Sequence, residues 1–247
     1  MIKLERLTKT YARSGTKAVD DLSLEIHDGE IFGLLGPNGA GKSTTIKMLT
    51  GVLRPDSGLV EIEGIDMARS PIEAKSRFGF VADDPELFNK LRAVEYLNFI
   101  ADIYRVPDRE RQERIAALAA LFRIDDALGS SIGSFSRGMK QKLCLVASLV
   151  HDPRAWVLDE PMVGLDPQAA FDLKELMRER VAAGGLVLFS THVMEVAEKI
   201  CDRIAIMDKG RLRFVGTLDE LRRGEGSSGG GSLEELFLEL VDDGGRQ

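Results

Sequence analysis

Gly36-Pro37-Asn38-Gly39-Ala40-Gly41-Lys42-Ser43 is the most informative stretch of this sequence, because it fits the phosphate-loop pattern GxxxxGK[ST]. The apolar run Ile31–Leu35 precedes it and a helical segment, Ser43–Thr50, follows it. Glycines let backbone N–H groups wrap a phosphate chain, and the helix directs its positive dipole end at the same anion. Lys42 would meet the β- and γ-phosphates, and the Ser43 hydroxyl is placed to bind Mg²⁺. A nucleotide-phosphate site is expected here; a glycine-rich turn with an exposed lysine is the minor alternative.

Strand-like runs and helical segments alternate along most of the chain. Ile31–Leu35, Ala155–Leu158 and Leu186–Ser190 are nearly continuous apolar runs, as expected for strands buried on both faces of a parallel sheet. Helical spacing follows in Gln168–Ala182 and Val193–Cys201. This alternation predicts an α/β fold built from βαβ units.

Two regions before residue 151 depart from that alternation. Ile2–Leu7 and Leu22–Ile26 alternate apolar and polar residues, which predicts an N-terminal antiparallel β-subdomain. Between about residues 85 and 150 the strand pattern stops, which predicts an all-helical subdomain inserted into the sheet domain. The helices expected there are Val94–Tyr104, Arg109–Phe122 and Met139–Val150.

The C-terminal part of the chain returns to strands and then changes composition. Arg203–Met207 and Leu212–Val215 are predicted strands that would complete a main domain over residues 1–223. Gly224–Ser232, with the sequence GEGSSGGGS, has the composition of a flexible linker. Residues 233–247 are predicted to be a short amphipathic helix and a tail. Its apolar stripe is Leu233, Leu236, Phe237, Leu240 and Val241.

Composition excludes several classes of protein. The 33 Lys and Arg against 40 Asp and Glu give a formal net charge of -7, so nucleic acid is not an expected partner. Cys144 and Cys201 lie in apolar stretches and form no CxxC pair, which favours buried thiols in a reduced, cytoplasmic compartment. No apolar run approaches 18 residues and the N-terminus is not signal-like, so neither a membrane span nor a secretory signal is expected.

A second candidate site lies in Ala155-Trp156-Val157-Leu158-Asp159-Glu160-Pro161. An apolar strand that ends in two carboxylates delivers them to the carboxyl edge of a parallel sheet, where the phosphate loop also lies. Asp159 would bind Mg²⁺ and Glu160 would polarise the attacking water. His192 follows another buried strand and is expected at the same edge, within reach of the γ-phosphate and that water. Alone, Asp159 and Glu160 are equally consistent with an ordinary acidic turn.

These motifs and their order resemble the ATPase subunit of ATP-binding cassette (ABC) transporters over nearly the whole chain. The matching segments are Gly36–Thr44 (Walker A), Phe135–Met139 (at the position of the LSGGQ signature), Ala155–Glu160 (Walker B), Gly164–Asp166 (D-loop) and Ser190–His192 (switch histidine). Tyr11 lies where the family has an aromatic residue that stacks on adenine. The resemblance implies a P-loop NTPase core with a mixed sheet, an N-terminal antiparallel β-subdomain and an inserted helical subdomain.

The resemblance also implies a set of site residues. The residues expected to bind ATP are Tyr11, Gly36, Pro37, Asn38, Gly39, Ala40, Gly41, Lys42, Ser43, Thr44, Ser136, Gly138 and Asp166. The expected metal ligands are Ser43, Asp83 and Asp159, and the expected catalytic residues are Glu160 and His192. Ser136 and Gly138 would serve the ATP of a second subunit, so two copies, or this chain and a related one, would enclose two Mg-ATP molecules. A separate integral-membrane permease would be the other partner, with this chain peripheral on the cytoplasmic face.

Three positions differ from the family pattern. Arg137 replaces the first signature glycine and Met139 its glutamine, whereas Asp83 occupies the place of a glutamine that reaches toward Mg²⁺ and water. The segments Ser136–Gln141 and Leu233–Leu240 resemble the export-type, ABC-2-like subset of these ATPases. The helical subdomain around residues 83–104 is the expected docking face.

Three other functions compete with transport. The main alternative is a soluble ABC-type ATPase that acts on a nucleic-acid or ribosome machine. Such chains generally carry two cassettes or a long coiled-coil insertion, and this chain has neither. A P-loop kinase or GTPase would leave the signature segment and His192 unexplained, and a binding-only subunit with poor turnover stays possible because of Asp83.

Overall fold

The structure is a computed structural model that describes residues 1–11, 15–84, 87–224 and 232–243. The strands are β1 (Ile2–Thr10), β2 (Lys17–Ile26), β3 (Ile31–Leu35), β4 (Ser57–Ile62), β5 (Ile65–Asp66), β6 (Phe78–Val81), β7 (Ala155–Asp159), β8 (Leu186–Thr191), β9 (Arg203–Asp208) and β10 (Arg211–Gly216). The α-helices are α1 (Lys42–Leu49), α2 (Pro71–Lys75), α3 (Ala93–Ile103), α4 (Asp108–Leu121), α5 (Arg137–Leu149), α6 (Pro167–Ala182), α7 (Met194–Ile200), α8 (Leu218–Gly224) and α9 (Leu233–Asp243).

The strands form two sheets. A four-stranded antiparallel sheet has the order β2-β1-β4-β5, and a six-stranded sheet has the order β10-β9-β3-β8-β7-β6. Within the larger sheet β6, β7, β8, β3 and β9 run parallel, and β10 pairs antiparallel with β9. The carboxyl ends of the parallel strands therefore meet at one edge, where the phosphate loop follows β3.

The six-stranded sheet is covered on both faces, as the apolar runs of its strands require. In β7, Trp156 and Leu158 pack into the cluster that also contains α3, α4, α5 and α6, whereas Ala155 and Val157 pack into the cluster with α1 and the antiparallel sheet. The helices between residues 93 and 149 thus share one core with a face of the sheet. The single tryptophan is fully buried, and its Nε1–H donates to Ser148 Oγ at 2.9 Å.

A third apolar cluster covers the end of the sheet near β9. Leu233, Leu236 and Phe237 of α9 are buried there, together with Met194 of α7 and Leu221 of α8. The amphipathic helix predicted at the C-terminus therefore packs on its own chain. Among the residues described, no helix combines the length and apolarity needed to cross a membrane.

The predicted fold class is confirmed: a mixed α/β fold with an antiparallel sheet and a helical region between β6 and β7. Elements that the sequence patterns did not identify are β4, β5, α2, β6 and α8. Three features predicted from the sequence lie outside the described residues: most of the 224–232 linker, the tail from 244, and the predicted start of the helical region at residue 85.

Candidate nucleotide-binding site

The phosphate loop joins β3 to α1 through a tightly packed turn. Gly41 immediately precedes α1 with φ of 110°, and a Cβ atom there would lie 2.4 Å from the Ala18 carbonyl oxygen. Only glycine fits that combination of backbone angle and close approach. The side chain of Lys42 is 6% exposed and its Nζ donates to the Gly36 carbonyl oxygen at 2.7 Å. The loop thus curls around the lysine ammonium, with the N-terminus of α1 facing the space beside it.

Burial makes Lys42 a poorly solvated cation. Desolvation lowers its pKa below the usual value, and the charges of Glu160 and Asp159 oppose that shift. Its Nζ lies 3.9 Å from Glu160 Oε1, the nearest acidic partner. A cation that has lost water and is only partly neutralised favours an added anion, so the loop suits a phosphate chain.

Asp159 at the end of β7 and Ser43 at the start of α1 place oxygen atoms together. Asp159 is 3% exposed, and its Oδ1 accepts from Ser190 Oγ at 2.6 Å and from Ser43 Oγ at 3.3 Å. Mg²⁺ prefers oxygen ligands and is usually held by one or two protein groups plus phosphates. The described residues contain no cluster of three or more His, Cys, Asp or Glu side chains suited to a metal. The hydroxyl and carboxylate fit a magnesium ion that is shared with a nucleotide.

Glu160 is held in an unusual backbone conformation. Its φ is 49°, in the left-handed region that favours glycine, and its N–H donates to Ser190 Oγ at 3.0 Å. Its Oε1 lies 3.0 Å from His192 Nδ1. The turn directs the carboxylate back toward the phosphate loop, and the imidazole fixes it from the other side. A carboxylate so placed can accept a proton from a water molecule at the γ-phosphate.

The phosphate loop and Glu160 line one cleft of about 330 Å³, and Asp159 and His192 lie behind this lining, in contact with Ser43 and Glu160. Its lining consists of Tyr11, Ala18, Asn38, Gly39, Ala40, Gly41, Lys42, Ser43, Thr44, Asp83 and Glu160. Tyr11 is 43% exposed, and its hydroxyl lies 3.4 Å from Thr44 Oγ1. The cleft thus offers an aromatic ring for the base, a loop for the phosphates and the Glu160 carboxylate for the bond that is hydrolysed. Gly36 and Pro37 lie at the base of the same loop and contact the Lys42 ammonium.

The signature and D-loop residues lie outside the lining of this cleft. Ser136 is the N-cap of α5, and its Oγ accepts from the Met139 N–H at 3.2 Å. Gly138 follows in the first turn, packed against Gly164. Asp166 is the N-cap of α6, and its Oδ1 accepts from the Ala169 N–H at 2.9 Å. The structure therefore brings these three residues near one another but not to the chain's own phosphate loop.

Two residues that support the cleft, Ser190 and Ala18, were not predicted as site residues from the sequence. Ser190 joins Asp159 to the Glu160 backbone, and it lies beside Asp159 because β7 and β8 pair in parallel register. A strand alignment would have predicted that contact. Ala18 lies in β2, next to Gly41, and no sequence signal marks it.

Comparisons with known proteins agree on one family. A family model described as ABC transporter matches residues 19–163. The chain is 35% identical over 243 residues to the ABC-type transporter ATP-binding protein EcsA of Bacillus subtilis, covering 98% of this chain and 97% of that protein. It is 37% identical over 227 residues to the daunorubicin/doxorubicin resistance ATP-binding protein DrrA of Streptomyces peucetius, covering 92% and 68%.

Solved structures agree with these sequence matches. An ATP-binding subunit of an ABC transporter superposes with a TM-score of 0.92 at 36% identity, covering 97% of this chain and 99% of that one. The ATP-binding cassette MJ0796 superposes with a TM-score of 0.80 at 24% identity, covering 88% and 99%, and supports the fold alone. Together with the cleft, these likenesses show that the chain belongs to the ABC transporter family as an ATP-binding subunit, an ATPase coupled to transport.

Proposed function

We propose that this chain closes with a second ATPase subunit around two Mg-ATP molecules and powers export through a separate membrane permease, from the cytoplasmic face of the membrane. The observation that carries the proposal is the single cleft in which Tyr11, the phosphate loop, Asp83 and Glu160 meet. ATP is the nucleotide of the family. The magnesium ion, the export direction and the pairing of subunits are the added parts of the proposal.

Side chains in and beside the cleft are assigned the following tasks in hydrolysis. Tyr11 stacks on the base, and the loop N–H groups and Lys42 hold the phosphates. Ser43 and Asp159 would hold a magnesium ion, which would supply positive charge beside the phosphate oxygens. Glu160 orients and deprotonates the attacking water, and His192 keeps that carboxylate aimed.

Dimer closure accounts for the residues that lie outside the cleft. Ser136 and Gly138 start α5, where N–H groups and a hydroxyl offer an anion cradle that the chain's own phosphate loop does not reach. The MJ0796 cassette is described as a dimer bound to ADP and Pi. A second subunit that presents its phosphates to this cradle would use it, and γ-phosphate release would then reopen the pair.

The permease would dock in a groove beside β6. An apolar groove of about 330 Å³ lies between β6, α3 and α5, with Phe80, Leu87, Tyr96 and Ile100 in its lining. Ala82 lies at the end of this groove and adjoins Asp83, which lines the nucleotide cleft. An occupant of the groove would therefore respond to the state of the nucleotide, as a transport-coupled ATPase requires.

The rim of the groove is also unusually apolar for a surface. Phe88 and Phe99 are 58% and 45% exposed, and their rings meet edge to face with centroids 6.0 Å apart. Exposed aromatic pairs are typical of protein interfaces rather than of free surface. A short cytoplasmic helix of the permease, with apolar residues on one face, fits this rim and groove.

The test is a pull-down from solubilised host membranes with tagged Glu160→Gln protein and Mg-ATP. Slow hydrolysis should trap the closed assembly, and a multi-span protein should be recovered at near-equal amount. The matched pair Phe99→Asp and Phe171→Asp locates the docking surface, because both side chains are exposed. Phe99 is linked to the groove through Phe88, whose ring also packs near Tyr96 of the groove lining, whereas Phe171 is on α6. Phe99→Asp should lose the membrane protein and Phe171→Asp should retain it, with equal ATPase rates in solution.

Recovery of ribosomes, of nucleic acid or of a soluble dimer alone would reject the transport role and leave the nucleotide chemistry standing.

Arg92 and Glu95 also lie on the expected docking face, but charge reversal at either residue would not test docking alone. The Arg92 N–H donates to Glu95 Oε2 at 2.8 Å, so this pair caps the start of α3 and its loss would perturb the helix itself.

A further inference from the structure

The end of β9 and the turn that follows it lie directly beside the phosphate loop. β9 and β3 are parallel neighbours in which Ile206 pairs with Leu35, so the two strands end at the same edge of the sheet. The turn joins β9 to β10 through Lys209 and Gly210, whose φ values are 47° and 80°. Two residues in this left-handed region form the tight turn that suits an antiparallel strand pair.

The phosphate loop packs against this turn through backbone atoms. The Gly210 N–H donates to the Ala40 carbonyl oxygen at 2.9 Å. A Cβ atom at Gly41 would lie 3.5 Å from the Gly210 Cα, and a Cβ atom at Gly36 would lie 2.4 Å from the Met207 carbonyl oxygen. The first residue of the loop and the residues just before α1 are therefore both held from the side of β9.

The same turn is attached to β2, on the other side of the nucleotide cleft. The Asp20 N–H donates to the Gly210 carbonyl oxygen at 2.8 Å. A Cβ atom at Gly210 would lie 2.9 Å from the carbonyl oxygen of Ala18, a residue that lines the cleft. Gly210 is thus enclosed between Ala40 and β2, and a side chain at this position would force one of these contacts to give way.

Charged side chains reinforce the contact between the turn and β2. Arg211 donates to Asp20 Oδ2 from Nε at 3.0 Å and from a terminal guanidinium nitrogen at 2.5 Å. Lys17 Nζ donates to the other carboxylate oxygen of Asp20 at 2.6 Å. The hydrogen bonds from Lys17 and then from Arg211 lower the pKa of Asp20, so this carboxylate is charged at neutral pH. One carboxylate on β2 therefore binds the first residue of β10.

We propose that Gly210 and Arg211 are positioning residues that tie the phosphate loop to β2 and thereby raise its affinity for the diphosphate group that ADP and ATP share. The proposal rests on the nucleotide site proposed above. A loop that is ordered before the phosphates arrive loses less conformational freedom on binding, so affinity rises. The backbone of a phosphate loop wraps the α- and β-phosphates, so the effect falls on both nucleotides alike.

The first test compares full-length Gly210→Ala with Gly184→Ala. Both glycines have positive φ, 80° and 86°, so both substitutions strain the backbone and should lower Tm. Gly184 precedes β8, at the opposite edge of the sheet, and no described atom beyond its chain neighbours lies within 4 Å of a Cβ atom there. It therefore reports the strain without the contact to the phosphate loop.

The Kd values of ADP and of a non-hydrolysable ATP analogue are measured by titration, together with kcat at saturating ATP. Gly210→Ala should raise both Kd values by about tenfold, because the Ala40 carbonyl oxygen loses its donor. Its kcat should stay within about twofold of the parent, and Gly184→Ala should bind like the parent. Parent-like Kd values in Gly210→Ala would overturn the proposal, and so would a loss of affinity confined to the ATP analogue.

Arg211→Met provides a second variant that leaves the backbone unstrained. Its two Kd values should rise by about threefold, since the pair with Asp20 is partly exposed, and Arg211→Lys should restore part of the loss. Arg154→Met is the control, because Arg154 is as exposed as Arg211 and pairs with Asp28 at 3.2 Å, at the amino end of β7. Parent-like binding by Arg211→Met would reject its positioning role.

Lys42→Met separates this proposal from the nucleotide site on which it rests. Lys42 acts on the phosphates directly, so equal ADP affinity in Lys42→Met and the parent would reject the site itself. Loss of ADP binding in Lys42→Met, with parent-like binding by Gly210→Ala and Arg211→Met, would reject only the role of the turn.

Discussion

His192 and Glu160 are joined by a contact of 3.0 Å between Nδ1 and Oε1, although 32 residues separate them in the chain. The two side chains meet because β7 and β8 are neighbouring parallel strands that end at the same edge. Glu160 is 12% exposed and His192 48%, so the imidazole covers the carboxylate from the solvent side.

His192→Ala should lower the rate of ATP hydrolysis by about 10²-fold, because the Glu160 carboxylate would lose its orienting partner. Nucleotide affinity should change less than about twofold, since His192 is not part of the cleft lining. Steady-state kinetics and a binding titration measure the two effects. His27→Ala is the control, because His27 is exposed and lies away from the cleft. A parent-like rate in His192→Ala would remove this role.

Asp83→Ala should raise the Mg²⁺ concentration for half-maximal hydrolysis by about tenfold, because a carboxylate beside the phosphate loop supports the ion. Asp84→Ala is the matched control: the adjacent acid is not among the residues that line the cleft. The measurement is ATPase rate against free Mg²⁺ at fixed ATP. Equal magnesium curves for the two variants would show that Asp83 takes no part in metal binding.

His151 joins the edge strand to the end of α3. Its ring stacks on Tyr104 with centroids 3.7 Å apart, and its Nε2 lies 3.1 Å from the Phe78 carbonyl oxygen. Burial lowers its pKa from 6.5 to about 4, against the opposing effect of the Phe78 bond. The charged groups that act on it are Arg114 and Arg180, which lower its pKa further, and Asp152, which raises it.

Acid should therefore lower the free energy of unfolding, because His151 is protonated more readily in the unfolded chain. The unfolded chain takes up the proton near pH 6.5 and the folded chain only near pH 4, so stability falls as pH drops through that window, by up to about 3 kcal/mol. His151→Phe keeps a stacking ring and removes the titration. The free energy of unfolding from urea titrations between pH 7 and 4 should fall less steeply in His151→Phe. Parallel curves for the two proteins would contradict the assignment.

Phe237→Ala should destabilise the protein by about 2–4 kcal/mol, because this side chain of α9 fills the apolar cluster near β9. Leu238 is its neighbour and is 54% exposed, so Leu238→Ala should change stability by less than about 0.5 kcal/mol. Urea unfolding of both variants measures the difference. If the two variants unfolded alike, α9 would not be docked on the chain in solution.

The site near the phosphate loop was predictable because its signals are local. Glycine spacing identifies the loop, and strand-end carboxylates identify Asp159 and Glu160 without knowledge of distant contacts. Capping explains the small errors in helix starts. Ser136 Oγ accepts from the Met139 N–H, so α5 begins at Arg137, two residues before the predicted start at Met139.

The elements that escaped prediction depend on partners far away in sequence. Strand β6 has only four residues, with glycine among them, and it is held in the sheet by pairing with β7, more than 70 residues later. The Lys142–Asp166 contact likewise needs the register of α5 against the loop before α6. No periodicity or motif carries that register, because it is set by packing of the whole cluster.

The backbone conformation of Glu160 serves catalysis at a cost in folding stability. A glutamate held at φ of 49° is less stable there than glycine by about 1 kcal/mol. Selection for thermal stability alone would therefore favour glycine at this position, and the subunit would lose the carboxylate that hydrolysis requires. Stabilising substitutions in this chain are therefore expected at other positions. Glycine at position 160 in a natural relative would indicate a subunit that does not hydrolyse ATP.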